Sequence, residues 1–254
     1  MDRPLLAYGA RGYYVTEMKG LLKKRCLEID PSWDVDVVKD DDKFETATRQ
    51  CVLDYQHEAR LVADGMVGSN TWAALLKKEL YNAYAEPNYV PAPDEYTCWA
   101  AATAMLKGES SPNTTRPPGV TFEQKNGTPG GLENSNANMQ LFANYHGLKM
   151  VDEPNFGATD LCLLVTIYGR LMLNVKGVTP MLKAGKPSDS HLVILSGLRG
   201  DGSPSGTTLR IHNPTLRDKK NQRIVASFVY LKGKYPGLTY QTFYRITGSS
   251  KSIP

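Results

Sequence analysis

The stretch Tyr96–Leu106, YTCWAAATAML, decides how the larger part of this 254-residue chain is read. Its alanines and apolar residues predict a buried helix over 98–107, and Thr97 stands where an N-cap is preferred. Cys98 then falls in the first turn, where unpaired backbone amides and the helix dipole favour an anion. A thiol so placed is expected to have a lowered pKa. A cysteine followed by a tryptophan at the head of such a helix therefore reads as a candidate nucleophile, with Trp99 packing between helix and strands.

Outward from this helix the pattern is mixed. A Gly/Pro/Asn-rich stretch runs through Ser135. Helices are predicted near Asn138–Tyr145 and over TDLCLLVTIYG, followed by β-like runs LMLNV, HLVILSGL, TLRIH, IVASFVYL and YQTFYRI. Helices first and antiparallel strands after predict an α+β domain. His191 opens the apolar run HLVILSGL, where packing alone does not explain a polar residue. Asn213 ends a second strand just before Pro214, which stops pairing. Adjacent antiparallel strands would set the Asn213 amide beside the imidazole and turn the other ring nitrogen toward Cys98. Asp189 is an alternative orienter. His212 should point away by strand alternation, and His57 and His146 read as surface or satisfied histidines. Cys162 reads as core, and Cys26 and Cys51 as structural.

The first eighty residues contain a repeat. Asp41, Phe44 and Thr48 have the spacing of Asp64, Val67 and Thr71, each copy continuing into apolar positions at helical spacing: Val52 and Tyr55, then Trp72 and Leu75. Val15, Met18, Leu21 and Leu22 give a further amphipathic helix after the turn YGARG. Three short helices around one core are expected. Residues 81–93, YNAYAEPNYVPAP, read as an extended linker with the boundary near residue 85, so the expected organisation is 1–80, 81–93 and 94–254.

Residues 1–80 hold 12 Lys and Arg against 14 Asp and Glu, whereas 81–254 hold 18 against 12, so an anionic partner is expected at the second part. Without a dense basic stripe interleaved with aromatics, nucleic acid is not an expected partner. No apolar run approaches the roughly 20 residues of a membrane helix, and no membrane association is expected. Four scattered cysteines without a CxxC pair argue against a disulfide framework and structural zinc. No cofactor is expected. The N-terminus lacks the basic-then-apolar order of a secretory signal, so synthesis in the cytoplasm is expected.

Two resemblances follow from these motifs. Gly9, Gly12, Val15, Leu21, Leu22, then Asp41, Phe44, Thr48, Tyr55, Gln56, then Asp64, Gly65, Val67, Gly68, Thr71, Trp72 and Leu75 resemble the peptidoglycan-binding three-helix domain. Asp42 and Glu45 depart from its usual glycines, and the 26–40 connection is longer and more acidic than its pattern. YTCWAAATAML, YGRLMLNV, SHLVILSGL and IHNP, in that order, resemble a bacterial papain-like cysteine peptidase of the branch grouped with bacteriocin-processing and plant-effector proteases. The resemblance implies a papain-like fold with Cys98 as nucleophile, His191 as base and acid, and Asn213 as orienter. It also implies a glutamine six residues before the cysteine as an oxyanion donor. Here that position is Ala92, which leaves backbone amides, Asn88, Asp94 or Tyr96 as candidate donors.

The combination resembles an antibacterial peptidoglycan hydrolase injected by a type VI secretion system. It implies peptidoglycan as partner, a cognate immunity protein, a secretion-system component, and action in the periplasm or wall of a target cell. A phage endolysin, a host-directed cysteine protease and a catalytically dead wall-binding adaptor are the alternatives.

Overall fold

The computed structural model describes residues 3–94, 96–125, 128–152, 157–176, 190–216, 222–234 and 241–244. The chain forms two compact units: Met1–Asn82 with Arg199–Thr208 and Val225–Ser227, and Ala83–Leu198 with Leu209–Ile224 and Phe228–Pro254.

The first unit holds three helices: α1 (Tyr13–Ile29), α2 (Thr46–Glu58) and α3 (Ser69–Leu76). Helix α1 starts after Gly12, whose φ of 105° disfavours a side chain. It buries Val15, Met18, Leu22 and Cys26, spaced so that they share one stripe. The repeat in the sequence is a repeat in space. Asp41 Oδ1 accepts from the Lys43 amide at 2.9 Å, and Asp64 Oδ1 accepts from the Met66 amide at 2.8 Å. Three residues after each aspartate a buried plug, Phe44 or Val67, is clipped by backbone hydrogen bonds to the N-terminal segment. A helix begins shortly after each plug.

The departures at Asp42 and Glu45 are explained by backbone. Gly65 of the second copy has φ +73°, whereas neither Asp42 nor Glu45 is among the described residues with positive φ. The first turn therefore does without glycine there. Gln56 secures the second turn from within the core. Its Oε1 accepts from the Asp64 and Gly65 amides at 3.1 and 2.9 Å. Its Nε2 faces Asp64 Oδ1, the Met66 carbonyl and Thr71 Oγ1 at 2.7 to 3.0 Å.

The remaining elements are β1 (Tyr81–Tyr84), α4 (Cys98–Lys107), β2 (Phe122–Lys125), β3 (Thr128–Leu132), α5 (Asn136–Tyr145), β4 (Lys149–Val151), α6 (Ala158–Tyr168), β5 (Leu171–Lys176), β6 (Ser190–Gly200), β7 (Thr207–His212), β8 (Arg223–Ser227), α7 (Phe228–Lys234) and β9 (Gln241–Tyr244). Strands run in the order β4-β9-β5-β6-β7-β8, with β1 also on β6, and β2 and β3 pair separately. The pairs β4–β9, β9–β5, β5–β6 and β2–β3 are antiparallel. Helices followed by an antiparallel sheet give the α+β class.

Helix α4 is buried from Cys98 through Leu106. Its alanines let α5 and the strands approach closely, with Met139, Phe142, Met172, Leu192, Ile194 and Phe243 in the same core. The Trp99 ring lies 5.2 Å from that of Phe122 and 6.1 Å from that of Phe142.

Three expectations need correction. The 81–93 stretch is more than a linker: 81–84 form β1, Ala85 donates to the Ser196 carbonyl at 2.7 Å, and Val90 and Ala92 are buried in the second core. The first unit ends at Asn82, close to the expected boundary near residue 85, but Arg199–Thr208 and Val225–Ser227 from the expected second part belong to it as well. The run IVASFVYL is only half strand, because Phe228 and Leu231 bury at helical spacing in α7 while Val229 and Tyr230 stay exposed.

Candidate active site

Strand β6 begins with Ser190 and His191, with His191 paired opposite Val175 of β5. Strand β7, next in the sheet, ends at His212, which leaves Asn213 at its exit with its backbone amide donating to the Gln222 carbonyl at 2.9 Å. His191 Nε2 and Asn213 Oδ1 lie 2.8 Å apart, both residues fully or nearly fully buried. The side-chain atom of Asn213 also accepts from the Thr215 amide at 3.1 Å and lies 2.9 Å from Thr215 Oγ1. An atom that accepts from a backbone N–H is the amide oxygen. Nε2 must then carry the hydrogen, and in the neutral ring Nδ1 keeps its lone pair. Tyr89 braces the same turn, its hydroxyl 3.0 Å from the Asn213 carbonyl and 2.7 Å from that of Leu216.

Cys98 opens α4 and packs in one cluster with Ala92 and Leu192, the residue after His191. Burial pushes the Cys98 thiol up to about 11, helped by the Asp94 charge and opposed by the backbone amides of Leu192, Trp99 and Cys98 itself. This corrects the expectation that the helix start leaves the thiol acidified: at 8% exposure desolvation exceeds the pull of the amides. Thr97 occupies the N-cap position without capping through its side chain, because its hydroxyl turns back to the amide and carbonyl of Asp94. Burial likewise pushes His191 down to about 4, against the opposing effect of Asn213. Both shifts favour the neutral form, thiol at Cys98 and imidazole at His191.

Ala92 is buried, and its amide donates to the Pro214 carbonyl at 2.8 Å, so this backbone is tied to the turn that carries Asn213. Of the candidate oxyanion donors, Asp94 Oδ1 accepts from the Tyr96 amide at 2.8 Å and so serves as an acceptor, and Asn88 is exposed. Thr215 and Tyr89 were not foreseen from sequence. A threonine two residues after Asn213 was the available signal, since side-chain to backbone contacts at that spacing are common in turns.

His212 faces elsewhere: its Nε2 meets Ser196 Oγ at 2.9 Å and Glu86 Oε1 at 3.6 Å. Both partners share one nitrogen, so these three residues cannot relay a proton as a nucleophile, base and orienter would. Cys162 is buried in α6, His57 is exposed beside Glu58, and His146 stacks edge-on with Phe142. Asp189 lies outside the described residues. Among the described residues no cluster of His, Cys, Asp and Glu would hold a metal, and no helix is long and apolar enough to cross a membrane.

Fold and site together define a two-unit α+β protein, with a helical first unit and, in the second, a buried histidine–asparagine pair and a buried helix-start cysteine that shares a core with Leu192, the residue after that histidine. Residues 13–75 match the family described as "Putative peptidoglycan binding domain". The match runs from the start of α1 to the end of α3, within one residue, and supports a peptidoglycan-binding domain in the three-helix part. A search of curated proteins finds no match to the chain.

Proposed function

We propose that this chain is a cell-wall hydrolase with a papain-like second unit, which cleaves an amide in peptidoglycan stem peptides through Cys98, His191 and Asn213. The observation that carries the reading is the 2.8 Å contact of His191 Nε2 with Asn213 Oδ1, with Cys98 in one core with the neighbouring Leu192, in a chain whose residues 13–75 match a wall-binding family. With Nε2–H held by Asn213, Nδ1 is the nitrogen able to take the thiol proton. The sulfur then attacks the amide carbonyl, and the imidazolium returns the proton to the leaving amine. Water, deprotonated by His191, releases the acyl group from sulfur.

Because thiol and imidazole both rest neutral, proton transfer accompanies substrate docking instead of preceding it. Tethering through the first unit raises local substrate concentration without altering the chemical step. The biological setting we favour is an antibacterial effector delivered by a type VI secretion system into a target cell's periplasm, countered by an immunity protein. A phage endolysin is the nearest alternative setting.

A second reading, a wall-binding adaptor with an inactive second unit, draws on Ala92 and on the raised thiol pKa. Purified sacculi distinguish the two. Wild-type protein should release new free amino groups, and Cys98→Ala should release none while binding equally. Equal release by both proteins defeats the cysteine mechanism, and no release by either favours the adaptor. Cleavage of proteins with sacculi left intact would instead mark a host-directed protease.

A further inference from the structure

Read one at a time, Cys26 and Cys51 are small buried core residues. The fold brings them together. Cys26, on the buried stripe of α1, and Cys51, on that of α2, are 0% and 3% exposed, and their sulfurs are 3.9 Å apart. Both thiols are free, and the other two cysteines, Cys98 and Cys162, belong to the second unit. A disulfide needs its sulfurs at about 2 Å, so the 3.9 Å separation leaves about 2 Å for the two side chains and their helices to close.

We propose that Cys26 and Cys51 form a disulfide site, closed when the chain folds in an oxidising compartment and open where thiols are kept reduced. The oxidant is an organic disulfide, small or protein-borne. One cysteine thiolate attacks an oxidant sulfur, giving a mixed disulfide and releasing one thiolate. The second cysteine thiolate attacks the protein sulfur of that intermediate, forming Cys26–Cys51 and releasing the second thiolate. Two protein thiols lose two protons and two electrons, and one oxidant disulfide becomes two thiols. Since both sulfurs are buried, exchange proceeds during folding or through separation of α1 from α2. It is therefore slow on the folded reduced protein.

The bond would pin α1 to α2 and close the intervening segment, which contains the long acidic connection from residue 26 to 40. A small unit with a limited core gains most from such a crosslink. The site does not depend on the hydrolase reading.

The test refolds the full chain with and without oxidised glutathione. Thiols titrated in denaturant should fall from four to two, intact mass should fall by about 2 Da through loss of two hydrogens, and peptide mapping should recover a Cys26–Cys51 peptide. The first unit's thermal midpoint should rise by on the order of 10 °C on oxidation. That rise should vanish in Cys26→Ala and Cys51→Ala. If either variant fails to fold, the wild-type comparison with and without reductant still decides. Four free thiols after oxidative refolding, glutathione adducts without the crosslink, or pairing through Cys98 or Cys162 would each overturn the proposal.

Discussion

Acidification should unfold the second unit through a histidine held neutral in its core. His191 is pushed by burial from an ordinary 6.5 down to about 4, despite the Asn213 contact. Between these two values the unfolded chain binds more protons than the folded one, so stability falls as pH falls. The contribution is whole above about pH 6.5 and lost by about pH 4, and that separation corresponds to about 3 kcal/mol. By pH 5 about 2 kcal/mol of it should be gone. His212, also pushed down to about 4 by burial, acts in the same direction and must be held constant. Urea titrations of wild type and His191→Gln, at pH 7.5 and pH 5, isolate His191 because both proteins keep His212. The stability difference between them should shrink by about 2 kcal/mol at the lower pH. Trp99, within the second core, can report the transition. A difference that is unchanged or grows on acidification would show that His191 is not held neutral, and the account of a neutral resting pair would fail.

Further expectations follow from other contacts. Alkylation of Cys98 by iodoacetamide should still be accelerating between pH 8 and 10, because burial holds the thiol up to about 11; a plateau below neutrality would mean a resting ion pair. Thr215→Val removes the hydroxyl 2.9 Å from Asn213 Oδ1 and should lower hydrolysis about tenfold, as expected for one lost hydrogen bond. Nitrogen NMR should show less of the Nε2–H form of His191 in that variant, and Thr215→Ser should restore both; an unmoved NMR signal would show that Thr215 does not position the pair. Gln56→Leu strands the buried Gly65 amide and removes the partner of the Asp64 amide and should destabilise the first unit by about 3 kcal/mol, measured by thermal melting. A change below about 0.5 kcal/mol, the scale of a neutral surface substitution, would mean that Gln56 does not hold the turn.

The sequence carried most of what local pattern can carry. Helix α4 was predicted over its observed span because apolar residues surround it on every side, and the Asp-plug-helix repeat of the first unit was visible as spacing. Strands β5, β6, β7 and β9 came from their apolar runs. The short β4 and the pair β2–β3 are not legible in the sequence, since runs of three to five residues show little periodicity and β3 carries a proline and two glycines. In IVASFVYL, β-branched residues pointed to strand throughout, while tertiary packing buries Phe228 and Leu231 in helical register.

At the site, residue types and order were enough to single out Cys98, His191 and Asn213, and the structure brings the last two into hydrogen-bond contact. Burial was not legible. The helix-start rule points to an acidified thiol, but the sign of the shift depends on how much water the fold removes, and that depends on residues from α5, β5 and β6 far away in the chain. The approach of Cys26 to Cys51 is of the same kind, since it depends on how α1 and α2 face one another.

The most direct measurement of the central claim is mass spectrometry of purified sacculi digested by wild-type protein, with Cys98→Ala in parallel. The account predicts soluble fragments with a split stem-peptide amide and intact glycosidic bonds, formed by wild type and absent with Cys98→Ala. Undigested sacculi, cleavage confined to glycosidic bonds, or the same amide products from Cys98→Ala would contradict it.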